Sequence, residues 1–370
     1  MPTLKAIFTS ATFLLGLIQS TYASYTEQPL PCNGFPEYKD LPVNYFFWLG
    51  VHNAGLSPDS YQCPDSTQAR PVTDMLQDGI RHLDLNLCTR NGETTLCSSD
   101  NKETNISFSD YLAQVFDYVR QVFQQVVVLN INSIVDDPDS VVTFKEMETI
   151  IDRVCKTQAD RTLGTNEYEQ YKCPFIYVQP EYTMDWPSLG ELVYYDPETA
   201  AWEGDGEDVG VQSKIIFTHG ESIRRNGGDM SHYFSKVFAR HSNFDGKLLD
   251  DSKSNVHTLC QSNGPISLQV YSDQYNDKYQ ASQLDDITLI EDAILSKEGC
   301  DLNSAGLHVY FNMIQLDRYH QILPYLKDLQ ARMNKHNYAK YQGQIEPVPQ
   351  STETMVITKK KEKRPEKDEL

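Results

Sequence analysis

What most restricts this chain is an alternation of short β-type runs with longer stretches of helical spacing. Tyr45 to Val51 is an aromatic apolar run, Ile80 to Leu87 alternates, and Val126 to Ile131 is continuous and β-branched. Phe175 to Val178, Ile215 to Thr218, Ile266 to Tyr271 and Leu307 to Met313 follow. Between them, Ser107 to Gln124, Val142 to Cys155, Leu284 to Leu295 and Asp317 to His336 carry apolar residues at helical intervals. Such alternation predicts parallel β/α units with both faces of the sheet covered. The fold class expected is α/β: a single-domain, TIM-type (β/α) barrel with one strand unplaced, hence irregular or incomplete. No internal repeat or linker divides the body, and Gly204 to Gly210 reads as a surface loop. At 39 % apolar residues, with 22 Tyr and 15 Phe, the chain is too apolar for disorder.

The two ends carry addresses. Lys5 precedes an apolar run from Ala6 to Ile18, and Thr21-Tyr22-Ala23 ends in small residues before Ser24. That pattern is a secretory signal peptide over 1–23, too short and interrupted for a membrane span. The last four residues, Lys367-Asp368-Glu369-Leu370, form a retention signal for the endoplasmic-reticulum lumen, read by a receptor. A charged, apolar-poor tail over 342–370 presents it, leaving 24–341 as the folded body. No other stretch approaches transmembrane length. With 52 acidic against 32 basic side chains and a formal charge of −20, the chain repels phosphate backbones, which argues against a nucleic-acid partner.

An oxidising lumen makes disulfides of cysteines. Nearest-neighbour pairing would join Cys32 to Cys63, Cys88 to Cys97, Cys155 to Cys173 and Cys260 to Cys300. No Cys-x-x-Cys and no zinc-type spacing occurs. Asn105-Ile106-Ser107 is a glycosylation sequon, which would place a glycan on a surface loop.

Barrel chemistry sits at the C-terminal ends of strands. There the chain has Gly50-Val51-His52-Asn53-Ala54, Asp84-Leu85-Asn86, Asn130-Ile131-Asn132 and Thr218-His219-Gly220. A period of two puts His82, Asp84 and Asn86 on one face of their strand and Arg81 on the other. An interior holding those residues below His52 is a site rather than an apolar core.

These segments resemble the X-type catalytic barrel of phosphatidylinositol-specific phospholipase C and the secreted fungal phospholipase-C-like phosphodiesterases. Leu49-Gly50-Val51-His52-Asn53-Ala54 is similar to the family's Gly-Thr-His-Asn/Asp-Ser. Val72 to Asp84 is similar to its helix-to-strand passage, and Trp186-Pro187-Ser188-Leu189-Gly190-Glu191-Leu192 to its Trp-Pro-Thr-Leu-x-Glu-Leu. Cys32-Asn33-Gly34 is like the opening of the fungal members. The likeness runs over about residues 32 to 195.

The resemblance implies in-line attack on phosphorus, one histidine taking the proton and a second protonating the leaving alcohol. His52 matches the first histidine, Asn53 the neighbouring ligand position and Asp84 the strand-two carboxylate. Three departures stand out. Asn86 replaces an Asp or Arg and Asn132 a carboxylate or lysine, while Leu96-Cys97-Ser98-Ser99 lies where the second histidine belongs. His219 and His82 are the substitutes for that acid. Calcium through Asn53, Asp84 and Asn86 would be weak, because one carboxylate supplies one charge.

The expected function is a lumenal phosphoric diester hydrolase with a phosphodiester or lipid head group in the barrel mouth. The alternative is an inactive barrel that binds a head group, glycan or client protein. A glycerophosphodiester phosphodiesterase is excluded, since its early His-Arg-Gly and its Glu-Asn pair are absent.

Overall fold

The computed structural model describes residues 28–57, 67–97, 103–133, 142–162, 173–179, 185–194, 213–219, 233–235, 240–244, 264–270, 288, 291, 295 and 309–344. Among the described residues nine strands form one sheet: β1 (Trp48–Val51), β2 (His82–Arg90), β3 (Glu93–Cys97), β4 (Glu103–Ser107), β5 (Val126–Ser133), β6 (Lys214–His219), β7 (Arg240–Phe244), β8 (Gly264–Val270) and β9 (Val309–Leu316). The helices are α1 (Val72–Gln77), α2 (Phe108–Gln121), α3 (Phe144–Thr162), α4 (Leu189–Leu192) and α5 (Leu323–Tyr341). The parallel strands lie in the order β6-β5-β2-β1-β9-β8-β7. The fold is an irregular (β/α) barrel, its sheet open between β6 and β7 among the described residues.

Register sorts the side chains into two faces. His82 pairs with Val128, Asp84 with Asn130 and Asn86 with Asn132; Val128 and Asn130 then pair with Ile216 and Thr218. These residues share the inner face. Leu83, Leu85, Val127, Leu129, Ile131, Ile215 and Phe217 share the outer face, where they pack with Phe116 and Val119 of α2, Met147 and Ile151 of α3 and Leu326 of α5. The inner face is itself graded. Its lower end is apolar, with Trp48, Val126, Val128, Ile216 and Met313 packed on Phe46, Leu41, Leu189 and Leu192. Its upper end is polar.

The Trp-Pro-Ser-Leu segment builds the floor, not the mouth. Ser188 caps α4 in a reciprocal capping box with Glu191. Leu189 and Gly190 then donate backbone N–H groups to Leu41 O and Lys39 O at 3.2 and 2.8 Å. In the same floor the Asn33 side chain accepts from Val126 N at 2.8 Å, which fixes where β5 begins. Arg81, on the outer face, is buried and donates to Tyr118 Oη at 2.6 Å, to Gln125 Oε1 and to the carbonyls of Leu76 and Ile80.

Four expectations are corrected. Phe175 to Val178 is no strand: Tyr177 N and Phe175 O each bond Ile215 along the edge of β6, which makes a single bridge. The antiparallel β3 and β4 were not expected, although Asn91-Gly92, both with positive φ, is a hairpin-turn signal. Asn105 therefore lies in the edge strand β4 rather than in a loop. Finally, Asp317 does not open a helix; it follows β9, and α5 starts only at Leu323.

The disulfides Cys88–Cys97 and Cys155–Cys173 are formed as expected. Cys32 is buried as a free thiol, so the Cys32–Cys63 pairing is not formed. Residues 1–27, Cys63, Cys260, Cys300, Gly204 to Gly210 and the retention signal lie outside the described residues, as does most of Leu284 to Leu295. No helix among the described residues is long and apolar enough to cross a membrane.

Two measurements test this packing. A Cβ at Gly50 would lie 3.0 Å from Gln315 Cγ, 3.2 Å from Ile314 O and 3.3 Å from His82 Cβ. Gly50→Ala should therefore cost ~1–3 kcal/mol in urea unfolding, the usual cost of overpacking. Burial lowers the Lys214 pKa from 10.5 to about 8. Between those values the unfolded chain holds a proton the folded chain lacks, so stability rises with pH across that window. The difference between wild type and Lys214→Met should shrink over the same range, which melts at pH 7.5 and 10 would show as converging Tm values.

Candidate active site

Sequence places His52 just beyond β1, where its backbone N–H still bonds Leu316 O at 3.2 Å. That tie carries the residue to the end of β9. There His52 Nδ1 lies 3.3 Å from Asp317 Oδ1, with side-chain exposures of 18 % and 2 %. The buried Gln68 side chain fixes the turn from below, donating to His52 O at 2.8 Å and to Leu316 O at 3.0 Å. Asn53 takes a positive φ of 48°. A small polar side chain tolerates that region better than most, and it lets Ala54 N bond Asp84 O at 2.8 Å. The Thr67 hydroxyl closes the same loop on Asn53 O at 3.0 Å. Gly55 packs against Leu96, leaving no room for a Cβ and holding the end of β3 on this loop.

On the neighbouring strand, Asp84 is buried. Its Oδ1 accepts from Asn130 Nδ2 at 2.7 Å and from Asn132 Nδ2 at 2.9 Å. Thr218 donates to Asn130 Oδ1 at 2.9 Å. Asn86 donates its amide to Asn53 Oδ1. The mouth thus gathers His52, Asn53, Asp84, Asn86 and Asn132 from the sequence-derived set.

Two residues of that set fall elsewhere. His82 lies one layer lower on the inner face, buried, with its Nδ1 3.1 Å from Gln315 Nε2 across side-chain-free Gly50. His219 pairs in register with Ile131 and so faces the helices, its ring 5.0 Å from Phe144 and 6.1 Å from Phe234. One step of alternation separates it from the Asp84 face. Ser98 lies outside the described residues.

Asp317 is a member of the site that the sequence reading places in a helix, while Asn130 and Thr218 stand in its strand-end segments without an assigned role. Asp317 was legible in principle. Had the last β-run been extended from Met313 to Leu316, Asp317 would have stood at a strand's C-terminal end, the position that carries barrel chemistry.

Calcium does not fit these residues. The ion takes six to eight oxygens at about 2.3–2.6 Å. Here Asp84 Oδ1 already accepts two amide N–H groups, and the Asn53 oxygen is engaged by Asn86. Among the described residues no three His, Cys, Asp or Glu side chains cluster as a metal site. None of the inner-face residues at the mouth (52, 84, 86, 130, 132, 218, 317) is Lys or Arg.

A strand-end histidine paired with a buried carboxylate in a (β/α) barrel is an arrangement for moving a proton. Residues 46–168 match the family model PI-PLC X 1. No curated protein matches the chain. Among solved structures it is similar to the phosphatidylinositol-specific phospholipase C of Listeria monocytogenes, at 11 % identity over 83 % of this chain and 98 % of that one, TM-score 0.49. A Staphylococcus aureus phosphatidylinositol-specific phospholipase C is similar at 12 % identity, covering 78 % and 91 %, TM-score 0.44. A calcium-dependent phosphoinositol-specific phospholipase C from a Pseudomonas species is similar at 10 % identity, covering 79 % and 96 %, TM-score 0.37.

The Gln68 clamp is directly testable. Gln68→Leu removes the amide from two buried carbonyls and should destabilise the fold by about 1–3 kcal/mol, read as a lower urea midpoint at unchanged m-value.

Proposed function

We propose that the chain is a phospholipase-C-like phosphodiesterase of the endoplasmic-reticulum lumen, acting on a phosphodiester that carries a polyol or lipid head group. The observation that supports it most is the His52–Asp317 pair at the polar end of the barrel. The signal-peptide pattern and the terminal Lys-Asp-Glu-Leu support the lumenal address.

The chemistry follows from the pair. With Nδ1–H donated to Asp317, His52 presents Nε2 as general base. It removes a proton from the attacking hydroxyl as the new O–P bond forms and the P–O bond to the leaving alcohol breaks. Asp317 orients the ring and stabilises the imidazolium that results. The leaving oxygen draws its proton from water, so substrates with good leaving groups are favoured. Asn86 and Asn132 offer hydrogen bonds to hydroxyl groups and no formal charge to the phosphoryl oxygens, a weak substitute for a cation.

The second reading, a barrel that binds a head group without turning it over, is favoured by the lack of a Lys or Arg among the described inner-face residues of the mouth. One comparison separates the two. An aryl phosphodiester and phosphatidylinositol are offered to the wild type, His52→Ala and Asp317→Asn with disulfides intact. The enzyme reading expects cleavage of the aryl ester first, a loss on the order of 10²–10⁴ in kcat for His52→Ala, and a comparable loss in Asp317→Asn through the wrong tautomer. Turnover that survives His52→Ala rejects the assignment of the base. Saturable head-group binding by a folded protein with no turnover establishes the second reading.

A further inference from the structure

We propose that Asn130 and Asn132 take the part of a cation beside Asp84, so that the barrel mouth is built to work without calcium. The inference deepens the reading of this mouth as the functional centre but does not require turnover.

Two independent sets of bonds carry it. A carboxylate oxygen only accepts, so the amide atoms facing Asp84 Oδ1 at 2.7 and 2.9 Å are the NH₂ groups of Asn130 and Asn132. Asn130 is fixed from the other side as well, because its Oδ1 accepts the Thr218 hydroxyl at 2.9 Å. Asp84, Asn130 and Thr218 are all buried and in register on three adjacent parallel strands. Turning the buried Asn130 amide over would leave buried polar atoms unpaired, which folded proteins avoid. The positive ends of two amide dipoles thus occupy the space against Asp84 Oδ1 that an ion bound to that oxygen would need. Two residues along the same strand, Asn86 points its NH₂ at Asn53 Oδ1, so that oxygen is also engaged. Asn130 and Thr218 are therefore positioning residues of the site.

The prediction is sharp because one atom changes the outcome. In Asn132→Asp, a second carboxylate replaces the NH₂ that faces Asp84, and two carboxylates at that separation must share a proton or a cation. Thermal unfolding would be followed from chelator to about 10 mM calcium, beyond the weakest natural calcium modules, for wild type, Asp84→Asn and Asn132→Asp. Wild type and Asp84→Asn should respond alike, any common shift coming from the acidic surface. Asn132→Asp should gain a calcium-dependent rise of about 2–4 °C, the size expected from saturating a sub-millimolar site in a chain this long. A wild-type rise that disappears in Asp84→Asn overturns the proposal. So does a folded Asn132→Asp, with native near-UV circular dichroism, that responds no more than wild type. Should either variant fail to fold, calcium titrated calorimetrically into the wild type decides alone: carboxylate-dependent binding that protects Asp84 from carbodiimide labelling overturns the proposal, and labelling unchanged by calcium supports it. The readout is calcium, so the result stands whichever way the phosphodiesterase assay falls.

Discussion

The parallel register that runs from β9 through β1 and β2 to β5 and β6 is the constraint on which this molecule depends. It aligns Gln315 with Gly50, Gly50 with His82, and Asp84 with Asn130 and Thr218. Because strand side chains alternate, that alignment stacks the inner face in layers and sends every second residue to the helices. A slip of one residue would exchange Asp84 for Leu83 or Leu85 in β2 and Asn130 for Leu129 or Ile131 in β5. The hydrogen bonds of the polar layer, two on Asp84 and one on Asn130, in turn resist such a slip. Site and fold are held by the same bonds.

The grading of the inner face follows from what lies beneath it. Trp48 is buried and donates its indole N–H to Val43 O at 3.0 Å, so the large ring closes the floor without an unmet donor. Above it, Gly50 leaves the gap through which Gln315 reaches His82. A histidine in that position is bonded inside the barrel rather than offered to a substrate. Only the layer above, with His52 and Asp317, combines a titratable ring with an opening to solvent.

The sequence was most legible where local chemistry is decisive. Asp84 and Asn86 followed from the period of two in Ile80 to Leu87, and His52 from its place after an apolar strand. The capping pair Ser188 and Glu191 was visible as spacing, although nothing local says that α4 plugs the floor. His219 shows the limit. Its strand was located, but which face it serves depends on pairing with β5, a contact far away in the chain. Asp317 was hidden for a related reason: the polar residues near the end of β9 read as the approach to a helix. The antiparallel β3 and β4 interrupt the alternation of strands and helices, and their one local signal is the Asn91-Gly92 turn.

Cys32 lies in the closed floor with its thiol pushed up to about 12 by burial. A thiol is reactive as its thiolate, so near neutral pH this sulfur is silent while the floor stays shut. Its backbone is tied to Gln124 O at 3.0 Å, next to the start of β5. The molecule therefore carries its own sentinel: the rate at which a thiol reagent reaches Cys32 counts the openings of the end of the barrel farthest from the site.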